Sequence, residues 1–170
     1  LDPLHDGRRR SIVRRGWLVE LRPLLLISGA LLLVQLVNAS LGGALNVWGL
    51  VPRHIEALPG ILLAPWLHGS WAHLLSNLSG LLVLGSLVLL RSRRDFYLSS
   101  AFIIVGSGVL VWLFGRTGLH VGASGWLFGF WGLLLARAWF ERSLLDLLLA
   151  VLVFFLYGGW FFGLLPRADV

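Results

Sequence analysis

Residues 71–90 read WAHLLSNLSGLLVLGSLVLL, a 20-residue run that contains no acidic or basic side chain apart from one histidine. A helix needs about 20 mainly apolar residues, each rising about 1.5 Å, to cross the hydrocarbon layer of a bilayer. The run is therefore predicted to be a membrane-spanning helix. It also contains His73 and Asn77, and polar groups at membrane depth indicate function because each must find a partner or water.

Four further apolar runs accompany this one along the chain. The five predicted spans are residues 24–41, 71–90, 96–115, 124–140 and 144–165. The composition agrees, since 58% of the 170 residues are hydrophobic and 13% are charged, against about 45–50% and about 25% in a soluble domain. The predicted fold class is all-α, a polytopic transmembrane helix bundle.

The charge distribution predicts the domain division and the orientation. A basic lead at 1–22 precedes a predicted transmembrane domain at 23–170. A basic stretch before an apolar run also describes a signal peptide, but four more runs follow, which favours an uncleaved first span. With the N terminus inside, eleven arginines lie on the inner side and three on the outer side, namely Arg53, Arg116 and Arg167. The positive-inside rule thus predicts a cytoplasmic N terminus.

The composition also excludes several kinds of site. Cysteine is absent, which rules out disulfides, zinc–cysteine sites and thiol nucleophiles. The formal net charge is +6, but the arginines cluster at the ends of apolar runs, where membrane topology places them. We therefore expect a lipid bilayer around the protein, no nucleic-acid partner, and no cofactor or metal. The sequence leaves the oligomeric state open.

Three polar residues are predicted to lie at one depth in the membrane. His73 and Asn77 are four residues apart, so they share one helical face near the outer end of the second span. Ser124 opens the fourth span, which also enters from outside. At about 1.5 Å per residue, all three fall within roughly 10 Å of one another along the membrane normal. A serine at a helix start is usually a cap, but this shared depth favours a functional serine.

A stripe of glycines follows the serine on the fourth span. Gly125, Gly129 and Gly132 stand at positions i, i+4 and i+7. Small residues at this spacing let helices approach closely, so packing alone is the simpler interpretation. We further interpret the stripe as the contact surface for a helix that follows residue 170.

Two motifs resemble those of the rhomboid family of intramembrane serine proteases. WLHGSWAHLLSN at 66–77 is similar to the family's His-x4-His-x3-Asn signature, and GASG at 122–125, followed by Phe128 and Gly129, is similar to its nucleophile motif. Their order and their placement on the second and fourth spans also agree. The resemblance covers about residues 20–170. It implies hydrolysis of peptide bonds in or near the transmembrane helices of membrane-protein substrates.

The resemblance also implies a role for each matching residue. Ser124 matches the nucleophile, and His73 and Asn77 match the side chains that assist the oxyanion hole. The supporting residues are His68, Gly122, Gly125 and Phe128. Of these, His68 matches a structural histidine in the loop before the second span. Phe128 matches an aromatic residue that lies one turn below the serine and supports the catalytic imidazole.

The family's general base is a histidine on a sixth span. The histidines of this sequence are His5, His54, His68, His73 and His120, and all of them precede the predicted fifth span. We therefore expect the natural sequence to continue into a sixth span that carries the base, and we expect residues 1–170 to be inactive by themselves. His120, four residues before Ser124, is the alternative base.

Two other functional classes stay open. A non-catalytic rhomboid-like pseudoprotease that binds transmembrane segments would have the same fold without the base. A small channel or transporter is disfavoured, because no charged pathway runs through the spans and no inverted repeat is visible. The preferred prediction is an active intramembrane serine protease, integral to a bacterial plasma membrane.

Overall fold

A computed structural model describes the backbone of residues 3–142 and of the isolated positions 144, 147, 148, 151, 152 and 155, with side chains from residue 19 onward. Five α-helices lie in these residues: α1 (Pro3–Ser40), α2 (Gly60–Leu63), α3 (Trp71–Arg91), α4 (Arg93–Phe114) and α5 (Ser124–Glu141). The predicted all-α helical bundle is confirmed. The predicted fifth span at 144–165 lies outside the described residues, apart from the isolated positions.

Three of the described helices are long and apolar enough to cross a membrane. They are the Val19–Ser40 part of α1, then α3 and α4. The predicted fourth span corresponds to α5, an 18-residue helix whose final turns contain Arg137 and Glu141, and it is not among these three. Length and composition therefore support three of the five predicted spans directly.

The first helix is longer than its predicted span. The sequence places the start of the span at residue 24, after Arg22 and Pro23, whereas α1 runs without interruption from Pro3 to Ser40. The difference arises because charged residues mark where a helix leaves the hydrocarbon layer, not where its backbone hydrogen bonds begin. The basic lead and the first span are thus one continuous helix.

The helix α3 is the central element of the bundle. It packs against α1, α4 and α5, and 50% of its span is buried, against 17% for α4. The core contains Leu24 and Leu31 of α1, Leu74, Leu81, Leu84 and Val88 of α3, Phe96 of α4, and Trp126 and Phe130 of α5. Outward apolar side chains such as Phe102 remain exposed, which suits lipid contact because lipid tails are as apolar as these side chains.

The glycine stripe of α5 contacts α4. A Cβ on Gly129 would overlap the Ile103 side chain, and a Cβ on Gly125 would lie 3.0 Å from the Ser107 Oγ. Around Gly132 there is open space among the described residues. Since α4 already occupies the close-approach positions, the interpretation of the stripe as a contact for a helix after residue 170 is wrong at Gly125 and Gly129.

Ion pairs join the turns that the sequence assigns to the inner side of the membrane. The pairs are Arg91–Glu141 at 2.9 Å, Arg93–Glu20 at 2.9 Å and Arg137–Asp95 at 3.0 Å. The first two pairs are exposed, and exposed pairs each contribute about 0–1 kcal/mol, so the pairs are informative mainly about which ends of the helices lie together. They bring the C-terminal ends of α3 and α5 together, while the N-terminal ends of both helices meet at the other end of the bundle.

Candidate active site

The first turn of α3 fixes the backbone of His73. Ser70 is extended, and its Oγ accepts a hydrogen bond from the His73 N–H at 3.1 Å, which is the usual N-cap interaction. Asn77 follows one turn later and is almost fully buried. Because residues four apart share a helical face, the cap places both polar side chains on one side of α3.

His68 supports this pair from the loop before α3. It is fully buried, its Nε2 lies 3.0 Å from the Asn77 Nδ2, and its ring meets the His73 ring edge-on with centroids 5.0 Å apart. Since an amide nitrogen only donates, Nε2 accepts and the ring proton lies on Nδ1. Burial, followed by repulsion from His73, lowers the pKa of His68 to about 4, and the Trp66 backbone acts in the opposite direction. His68 is therefore neutral at pH 7.

Gly122 brings the nucleophile motif into contact with both side chains. Its φ of +113° lies in a region that other residues rarely adopt. A Cβ there would lie 2.6 Å from the Cε1 and Nε2 atoms of His73 and 3.2 Å from the Asn77 Nδ2. The Gly122 N–H donates to the Ala64 carbonyl at 2.8 Å. Only a glycine allows this backbone to lie so close to the pair.

Ser124 is the first residue of α5. Ala123 precedes it and supplies no side-chain cap, and the Leu127 N–H donates to the Ala123 carbonyl. The N–H groups of residues 124–126 therefore have no partner within the helix. Because the N-terminal end of a helix carries partial positive charge, negative charge is stabilised at this position.

A cavity of about 100 Å³ adjoins the first turn of α5. Its lining comes from α2, α4, the loop before α5 and the first turn of α5, and includes Gly60, Ile61, Ser107, Gly108, His120, Gly122, Ser124 and Gly125. The Nε2 of His120 lies 2.8 Å from the Arg116 carbonyl oxygen. Since a carbonyl only accepts, that nitrogen carries a proton and holds the ring to its own loop.

The long connection between α1 and α3 contacts the loop before α5 through backbone hydrogen bonds. Leu50 and His120 form an antiparallel bridge, with N–H···O distances of 2.9 and 2.8 Å. The Ala64 carbonyl accepts from Gly122 in the same region. Neither Leu50 nor Ala64 can be recognised from the sequence, because both act through their backbones.

Asn38 is a further residue that the sequence reasoning missed. It lies in the last turn of α1, and its Nδ2 donates to the His68 carbonyl at 3.2 Å. The rule that identified His73 and Asn77, a polar residue inside an apolar span, also applies to Asn38 and would have found it.

Of the predicted site residues, the structure brings His68, His73, Asn77 and Gly122 into direct contact. Ser124 and Gly125 follow in the first turn of α5, and Phe128 lies one turn further on, half-buried. The common membrane depth of these residues stays a prediction. Their catalytic and supporting roles stay predictions.

Helices that can cross a bilayer, with a serine two residues after a glycine that contacts a histidine and an asparagine, define a polytopic membrane protein with a polar site at one end. The chain belongs to the rhomboid family, because the family model described as "Rhomboid domain" matches residues 56–170. The resemblance stated from the two motifs is thereby confirmed.

The chain is similar to bacterial and plant proteins. An uncharacterized protein of Mycobacterium bovis is 36% identical over 159 residues, which cover 90% of this chain and 66% of that protein. An uncharacterized protein of Mycobacterium tuberculosis gives the same values. RHOMBOID-like protein 1 of Arabidopsis thaliana is 31% identical over 138 residues, or 75% of this chain and 33% of that protein. The chain thus spans just under two thirds of the mycobacterial relatives. No solved structure matches it significantly.

Proposed function

We propose that the complete protein is an intramembrane serine protease that cleaves peptide bonds in or near the transmembrane helices of other membrane proteins. The observation that supports this most is the contact of Gly122 with His73 and Asn77, at 2.6 and 3.2 Å from a Cβ position. It puts the motif that contains Ser124 beside two side chains able to donate hydrogen bonds. A weak nucleophile and donors for a developing negative charge are two of the parts that acyl transfer requires.

In the proposed reaction, the Ser124 Oγ attacks the substrate carbonyl carbon and its proton passes to a base. The carbonyl oxygen becomes negatively charged and accepts hydrogen bonds from the Ser124 N–H, His73 and Asn77. The C–N bond then breaks, and the leaving amine takes the proton from the base. Water hydrolyses the resulting acyl-enzyme by the same steps and releases Ser124.

The Asn77 amide is suited to this role because it has two N–H groups. One of them engages the Nε2 of His68 at 3.0 Å, which leaves the other for the substrate oxygen. The neutral state of His68 preserves this arrangement, since a protonated Nε2 would no longer accept from Asn77. The base itself is proposed to be a histidine of a further span, as the resemblance implies, because the Nε2 of His120 is bound to the Arg116 carbonyl.

The proposal includes the cellular location. The two mycobacterial relatives support a bacterial plasma membrane, and the excess of arginine on the predicted inner side supports a cytoplasmic N terminus. The proposed partners are transmembrane protein substrates and the surrounding lipid.

The experiment is Ser124→Ala in the complete protein, reconstituted in liposomes with a test substrate that has one transmembrane helix. Cleavage should be abolished and thermal unfolding in detergent unchanged. Ser79→Ala, at an exposed serine of α3, is the control and should cleave normally.

Cleavage by the Ser124→Ala variant would show that the nucleophile or the reaction class is wrong. A complete wild-type protein that binds transmembrane segments without cleaving any of them would support the pseudoprotease alternative instead.

A further inference from the structure

Asn38 is a buried polar residue in the last turn of α1 with three side-chain hydrogen bonds. It is 1% exposed. Its Nδ2 donates to the Asn46 Oδ1 at 3.0 Å and to the His68 carbonyl at 3.2 Å, and its Oδ1 accepts from the Leu45 N–H at 3.0 Å. A side-chain amide can make about four hydrogen bonds, so three of them are in place. A buried polar group that is satisfied in this way specifies one arrangement of its neighbours.

The bond to His68 transmits this arrangement to the site. His68 lies in an irregular segment, and a Cβ on the following Gly69 would meet no described atom within 4 Å. Asn38 anchors the His68 carbonyl, while the His68 imidazole contacts Asn77 at 3.0 Å and the His73 ring at a centroid distance of 5.0 Å. One residue therefore connects α1 with both proposed oxyanion donors.

We propose that Asn38 is a positioning residue for the reaction, which holds His68 and thereby sets the orientation of His73 and Asn77. This inference rests on the proposed protease function. Asn38 acts through His68, and the donors that it positions interact most strongly with the transition state. Such interactions determine kcat, whereas uniform substrate binding determines KM.

The test is Asn38→Asp in the complete protein. The substitution keeps the size of the side chain and the oxygen that accepts from Leu45, but it replaces the nitrogen that donates to the His68 carbonyl. We expect kcat for cleavage of the transmembrane test substrate to fall about 10–100-fold, with KM changed by less than about twofold, because a misplacement of about 1 Å costs roughly 100-fold in rate. If the buried carboxylate prevents folding, Asn38→Ala takes its place with the same expected result.

The matched control is Asn46→Ala. It removes the bond between Asn38 and Asn46 and leaves the bond from Asn38 to His68 in place. Its kcat should equal that of the wild type. An equal loss of kcat in the Asn38 and Asn46 variants would mean that Asn38 only closes the loop, and would overturn the inference.

A second measurement does not depend on activity. The imidazole NMR signals of His68 and His73 in detergent micelles should both shift in Asn38→Asp and should stay unchanged in Asn46→Ala. Unchanged His73 signals in Asn38→Asp would overturn the inference even if kcat falls. A complete wild-type protein that cleaves nothing would instead overturn the proposed function, and the NMR result would still report on the contact.

Discussion

Replacing Gly122 by alanine tests the contact on which the proposed site depends. The added Cβ would lie 2.6 Å from the His73 Cε1 and Nε2 atoms, about 0.8 Å closer than ordinary van der Waals contact, which begins near 3.4 Å. Either the His73 ring or the loop must therefore move. The φ of +113° also strains a residue with a Cβ, at a cost of about 1–3 kcal/mol.

The expected loss of activity follows from that displacement. A movement of about 1 Å in a catalytic group costs roughly 100-fold in rate, and the loss of one oxyanion donor costs about 100–1,000-fold. Gly122→Ala should thus lower kcat for cleavage of a transmembrane substrate by about 100-fold or more, in the complete protein reconstituted in liposomes.

The loop also contains a matched control. Gly118 has a φ of +140°, so alanine there is strained as well, but a Cβ at this position meets no described atom within 4 Å. Gly118→Ala should therefore lose stability without a comparable loss of kcat. The ratio of the kcat of Gly118→Ala to that of Gly122→Ala then measures the effect of the contact with His73. Equal kcat values for the two variants would refute the placement of Gly122 against the site.

Three further predictions concern topology, packing and pH. The sequence contains no cysteine, so a single cysteine introduced in the turn at 91–94 should be labelled only from the cytoplasmic side, and labelling from outside would reverse the orientation. Gly129→Ala should lower the free energy of unfolding by about 1–3 kcal/mol through overlap with Ile103. Gly132→Ala, whose Cβ would meet no described atom within 4 Å, should not lower it, and thermal unfolding in detergent measures both. The pKa of His68 falls from 6.5 to about 4 on folding, so the unfolded chain binds a proton that the folded protein does not. The free energy of unfolding should therefore fall by about 3 kcal/mol between pH 6.5 and 4, and a His68→Gln variant whose unfolding has the same pH dependence would contradict this.

The helices were predictable because a bilayer imposes a length and a polarity on every span. The sequence places the second span at residues 71–90 and the third at 96–115, and the structure gives Trp71–Arg91 and Arg93–Phe114. The earlier start of α4 comes from Ser92, whose Oγ accepts from the Asp95 N–H at 3.1 Å. A cap of this kind extends a helix into residues that a hydropathy argument assigns to the turn.

The site was predictable where it depends on side chains in spans. His73, Asn77 and Ser124 stand out because polar residues are rare at membrane depth. Contacts made by backbone atoms in the loops could not be recognised in the same way, because they do not depend on an unusual residue type. The bridge between Leu50 and His120 joins two irregular segments, and neither has a periodicity that would indicate a partner.

That bridge has a consequence for the order of events during synthesis. The backbone partner of Leu50 is residue 120, so α3 and α4 must be made before the pair can close. At about 5–20 residues per second, translation needs several seconds to supply those residues. Throughout that interval the backbone groups of Leu50 lack their partner at residue 120. The nascent protein therefore assembles its candidate site late, after α1, α3 and α4 have been synthesised.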